Sequence, residues 1–114
     1  MSIHNIEKYL TDILLYIEEL ETFSGEINID NIEKPINKWS VERALSIVGE
    51  ALSKAAALEP GIAISNKKQI IGLRHILVHD YDKIDAQRLY IILQKHLPVL
   101  KEEVELILNR KENG

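Results

Sequence analysis

The chain has no cysteine, which removes disulfide frameworks and thiolate metal sites and leaves any transition-metal centre to histidine and carboxylate ligands. It has no apolar run of membrane-spanning length, and no basic N-terminal region followed by an apolar core. No membrane span and no signal peptide are therefore expected, and a cytoplasmic protein is the plain inference. Cations are in deficit: 14 Lys and Arg stand against 18 Asp and Glu, for a net charge of -4. That balance argues against promiscuous RNA or DNA binding, which a basic domain would favour. Sustained strand alternation, internal repeats and low-complexity tracts are also missing, so 114 residues read as a single domain, 1–114.

What is present is helical spacing. Ile3, Ile6, Leu10, Ile13, Ile17 and Leu20 alternate three- and four-residue steps, which puts one apolar stripe on a helix with Ser2 as its N-cap. Thr22 to Lys38 reads as a connection, because Gly25, Asn28, Asp30, Asn31, Pro35 and Asn37 break the period. A second helix is expected from Ser40, with Glu42 complementing its dipole, and Glu59-Pro60-Gly61 ends it. Ser65 or Asn66 can cap a third helix that stops near His79-Asp80, and Asp85 can cap a fourth reaching Leu108. Pro98 should kink or divide that last helix, because its ring clashes with the Gln94 carbonyl; the tail from Arg110 to Gly114 should fray. Four amphipathic helices, or five if Pro98 divides the last, imply an all-α, antiparallel four- to five-helix bundle.

Usable chemistry concentrates in Gly72-Leu73-Arg74-His75-Ile76-Leu77-Val78-His79-Asp80-Tyr81. Arginine is a permanent cation with a planar donor fork that suits phosphate, and histidine moves protons near neutrality. On a continuous helix at about 100° per residue, however, Arg74 and His79 leave the axis about 140° apart. They share a site only if the helix ends or distorts near His79, or if a second subunit brings its own copy alongside. Asp80, Asp82 and the negative end of the helix dipole favour the imidazolium at His79. The same residues also fit capping, ion pairing or a solvated face.

Two further readings stay open. His75 and His79, four apart, could hold a metal with Asp80 or Asp82, although the glutamate of a zinc-protease motif is missing. Gly49 inside the second helix costs about 1 kcal/mol relative to Ala, which points to a close helix or subunit approach and makes Glu50 a candidate partner for Arg74. Trp39 reads as a packing anchor, not a base-stacking platform, and His4 and His96 are assigned no role.

Arg74, four intervening residues, His79, one residue and Tyr81 together resemble the signature of the HEPN superfamily, in particular its HepT-like toxin ribonucleases. Glu42 to Leu52, Ile84-Asp85 and Leu97 to Leu100 resemble the same branch, so the likeness spans nearly the whole chain. His75 departs from it, since many relatives have Asn there. The resemblance implies a helical bundle and a metal-independent endoribonuclease with no cofactor. Arg74 and His79 would be its catalytic residues, with His75, Asp80 and Glu50 in support, at the cleft of a homodimer. It further implies an RNA substrate and an MntA-like nucleotidyltransferase antitoxin that adds AMP to Tyr81. The alternative is a non-catalytic HEPN module that binds a nucleotide or a nucleotidyltransferase, a role more comfortable with the acidic net charge.

Overall fold

The computed structural model describes residues 3–24, 31, 34–79 and 86–113, with backbone alone for residues 3–5, 23, 24, 35, 75–79, 86, 112 and 113. Five α-helices succeed one another in chain order: α1 (Ile3–Ser24), α2 (Pro35–Leu58), α3 (Lys67–His79), α4 (Ala86–Ile91) and α5 (Leu97–Asn113). A π-helical turn, Ile92–His96, joins the last two. No strand occurs among the described residues, and the protein is an all-α helical bundle.

The stripe on α1 becomes the centre of the core. Leu10, Ile13 and Ile17 are wholly buried against Leu45, Leu52 and Leu100, so each contributes about 1.5–3 kcal/mol of burial. α1 and α2 run antiparallel: the Lys54 ammonium lies over the Tyr9 ring, while Tyr16 and Glu19 meet Ser40 and Arg43 near the opposite end. α5 closes the bundle on α1, where Lys101 donates to Glu21 at 2.8 Å.

α2 begins five residues before the expected Ser40. Pro35 occupies its first turn, where a missing N–H and a fixed φ suit a helix start, and Lys34 precedes it in extended backbone (φ -58°, ψ 131°). Proline thus opens the helix instead of breaking the chain. Ser40 is not the cap; its hydroxyl donates to the Ile36 carbonyl at 2.8 Å, one turn back. Glu42 consequently lies two turns inside α2, beyond the dipole position assigned to it from sequence.

Asn66 stands at the start of α3, its carbonyl accepting from the Ile70 amide, while the Ser65 amide and hydroxyl donate to Glu103 on α5. Ser2 and Asp85, the other expected caps, lie outside the described residues. Pro98 divides the last helix as expected, and does so without a simple kink. The Leu97 amide reaches back five residues to the Ile92 carbonyl, widening the turn just before a residue that has no amide to give. α5 then continues to Asn113, so the tail holds helical backbone beyond Arg110, with Lys111 pairing with Glu59 at 3.4 Å.

Candidate functional site

α3 remains α-helical through His79. No distortion therefore rotates His79 toward Arg74, and the two leave the axis about 140° apart within one protomer. The expected pair does not arise from an early end to the helix.

Arg74 itself is held by α2. A Cβ built on Gly49 would lie 2.5 Å from the Arg74 Cβ, 3.1 Å from its Cγ and 3.2 Å from the Ile70 carbonyl oxygen. Any larger residue at 49 would collide with the stem of Arg74. The close approach expected at Gly49 is thus between α2 and α3, and it presses the half-buried arginine into the seam. Its Nε is shut off from water and has no hydrogen-bond partner among the described residues. An unmet charged donor is costly and carries the capacity to bind an anion. Glu50 does not supply that anion: it is exposed and lies 3.6 Å from Lys54, one turn further on α2.

The second unmet polar atom among the described residues belongs to α2. Glu42 Oε2 is buried without a partner, and burial pushes the carboxyl above its ordinary range, with Lys38 pulling it part of the way back. Glu42 and Gly49 are seven residues apart and so share one face of α2, to within about 20°.

Comparison with known protein families matches residues 13–107 to the family described as Ribonuclease HepT-like. The chain belongs to the HepT-like ribonuclease family. Among curated relatives it is 33% identical over 110 residues to "Putative RNase MJ1380" of Methanocaldococcus jannaschii, covering 94% of this chain and all of that protein. It is 27% identical over 113 residues to "Putative RNase MJ0125" of the same organism, with 95% of each chain covered. "Putative RNase TTE0752" of Caldanaerobacter subterraneus is 25% identical over 108 residues, with 94% of each covered. No solved structure matches the chain.

In this HepT-like chain, His75 and His79 contribute helical backbone in α3, whereas Asp80, Tyr81 and Asp82 lie outside the described residues, and with them the alternative metal ligands. Among the described residues no group of three or more histidines and carboxylates could hold a metal, and no helix is long and apolar enough to cross a membrane. His96 lines a cleft of ≈ 330 Å³ with Gln69, Gln87 and Arg88, beside the first half of α3 and away from its closing turn. Trp39 corrects its sequence reading: it is 64% exposed and anchors nothing in the core. Its place in the second turn of a helix that was expected to begin after it explains the difference. The residue that sequence reasoning missed is Glu42, because only tertiary packing takes its oxygen out of water.

Proposed function

We propose that this protein is a metal-independent endoribonuclease toxin, with Arg74 and His79 as its catalytic residues. The observation that carries the reading is Arg74 Nε, a charged donor buried at the α2–α3 seam with no partner, in a chain of the HepT-like ribonuclease family. A guanidinium so fixed is preorganised for the equatorial oxygens of a phosphorane. In the reaction the RNA 2′-oxygen bonds to the adjacent phosphorus as its proton is removed. The bond from phosphorus to the 5′-oxygen breaks, and that oxygen takes up a proton. His79 moves the proton as general acid or base, and the products carry a 2′,3′-cyclic phosphate and a free 5′-hydroxyl.

The 140° separation on α3 supports a homodimer, in which one protomer's Arg74 and its partner's imidazole converge across a shared cleft. A nucleotidyltransferase antitoxin would restrain the enzyme by transferring AMP from ATP to the Tyr81 phenol oxygen with release of pyrophosphate. The added anion would occupy the phosphate site and exclude RNA. The purified protein is expected to cleave RNA in EDTA, and Arg74→Ala and His79→Ala, each checked for native helicity, are expected to abolish cleavage. RNA or nucleotide binding without turnover would identify a non-catalytic module; activity that requires zinc and is lost in His75→Ala would identify a metal site. Mass spectrometry after coexpression with the nucleotidyltransferase should find AMP on Tyr81, and AMP on another residue would end that part of the proposal.

A further inference from the structure

The cleft between α3 and α4 has no role in this scheme, and the π-helical turn is what brings His96 into it. On a regular α-helix, at about 100° per residue, His96 would leave the axis about 80° from Arg88, and Lys95 would align with Arg88 to within about 20°. The turn Ile92–His96 takes up one extra residue, so His96 falls in the alignment that Lys95 would have had. His96 and Arg88 accordingly line the cleft together, while Lys95 is exposed and does not. The turn is tied to the start of α3, where Asn66 Nδ2 donates to the His96 carbonyl at 3.5 Å.

Ile70, Leu73 and Ile92 give the cleft a buried apolar floor, and Ile91 leaves 40% of its surface exposed beside them. Gln69 on α3 and Gln87 on α4 each bring an amide, with both a donor and an acceptor. Arg88 adds positive charge and His96 an imidazole, and no acid lines the cleft, although the chain carries 18 Asp and Glu against 14 Lys and Arg. An apolar surface edged by amides and a guanidinium suits the flat face, polar edge and phosphate of a nucleotide. The volume of ≈ 330 Å³ is at the small end of the ligand-pocket range, about 300–1,000 Å³, and suits one such unit.

Gly72 is an independent observation pointing the same way. It is exposed within α3, and a Cβ added there would meet nothing within 4 Å, so packing among the described residues does not call for this poor helix former. Bare backbone is of use where a ligand approaches closely. Gly72 stands about 60° round α3 from Gln69, and His79 follows seven residues later on the same helical face to within about 20°. Gly72 thus lies between the cleft and the closing turn of α3.

We propose that the cleft is a base subsite for the RNA. It holds one nucleotide flanking the scissile linkage, with Gln69 and Gln87 on the base edge and Arg88 and His96 beside the adjoining phosphate, and the strand passes over Gly72 toward the closing turn of α3. The inference rests on RNA being the substrate, and its test measures binding apart from turnover. The probe is a fluorescein-labelled hexanucleotide of mixed sequence, methylated at every 2′-oxygen so that 2′-oxygen attack cannot cut it, and followed by fluorescence anisotropy. Gln69→Glu and Gln87→Glu together keep side-chain size, and both positions lie in the first turn of a helix, where a carboxylate suits the dipole and the fold is retained. The double variant is expected to bind roughly 10-fold more weakly. Removing the probe's bases one at a time should find a position whose loss weakens the wild type by roughly 10-fold and the double variant hardly at all, a coupling that general charge repulsion would not produce. Gly72→Ala should weaken binding several-fold without lowering the melting temperature, and unweakened binding would remove the path over α3.

No binding of the probe, unchanged affinity in the double variant, or equal base-removal losses in both proteins would overturn the proposal. AMP, GMP, CMP or UMP binding as tightly as the hexanucleotide through the same two glutamines would assign the cleft to a free nucleotide and overturn the RNA subsite. Binding that depends on the cleft, in a protein that cuts no unmodified RNA, would keep this inference and end the ribonuclease reading. Cleavage that the double variant performs as well as the wild type would do the reverse.

Discussion

The α1–α5 side and the α2–α3 seam are built from the same helical material to opposite standards of completion. On α1, Leu10, Ile13 and Ile17 are fully buried among apolar neighbours, and the pair Lys101–Glu21 joins the helix to α5 at its outer edge. On the seam, a glycine admits an arginine stem and a guanidinium nitrogen is buried unpaired, while α2 also buries a carboxylate oxygen of Glu42 without a partner. The first region maximises burial; the second gives up stability to hold charged groups out of water. Unmet buried polarity of this kind calls for an explanation, and a binding or catalytic role is one.

The contrast is broken most severely by emptying its stable half. Leu10→Ala is expected to destabilise the fold by about 2–5 kcal/mol through lost burial and a cavity, measured by denaturant unfolding. A smaller loss would mean that α1 relaxes into the space. On the seam, Arg74→Lys should keep the fold but lower RNA cleavage by roughly 100-fold, because a point charge does not replace a preorganised fork. Cleavage within a few-fold of wild type would remove Arg74 from the reaction.

Glycine sharpens the comparison through opposite signs. Gly49→Ala should cost about 1–3 kcal/mol, since the new methyl meets a Cβ fixed to the α3 backbone and the helices must part. Gly72→Ala, in the same helix pair but with open space around it, should stabilise by about 0.5–1 kcal/mol through helix propensity. Melting temperatures that move the same way for both would refute the close approach.

Smaller effects lie in the pH dependence. The folded Glu42 carboxyl keeps its proton above its ordinary value of 4.5, so the folded state binds more protons than the unfolded one. Its contribution to stability is least unfavourable below that value and worsens as pH rises through the raised one. Glu42→Gln should flatten this component, and parallel stability curves for the two proteins would contradict it. Lys101 follows the same direction with pH, but its charged form is held by a partner. Its hydrogen bond to Glu21 raises its pKa, so its stabilisation is complete below its ordinary 10.5 and is lost only as pH rises through the raised value. Lys101→Ala at neutral pH should give the smallest change of the series, and a shift rivalling Gly49→Ala would show that the surface pair had been undervalued.

Legibility tracked the range of the forces involved. The α1 stripe, the Glu59-Pro60-Gly61 stop and the division at Pro98 were readable because each is set within one or two turns. The start of α2 was misread because Pro35 is punctuation in a loop and a favourable first residue in a helix, and the choice between them is made by tertiary packing. Trp39 was misread for the same reason, its exposure being a property of the assembled surface. Gly49 was recognisable as an anomaly, though not as the seat of Arg74.

Local periodicity and the Arg74, His79, Tyr81 spacing determined by themselves that this chain is helical, where its stripes lie and which family signature it carries, because those properties need only neighbours along the chain. Tertiary structure alone decided that Gly49 faces Arg74 and that an oxygen of Glu42 is cut off from water. Both depend on how the helices pack, and residues distant in sequence meet only when the packed helices bring them together.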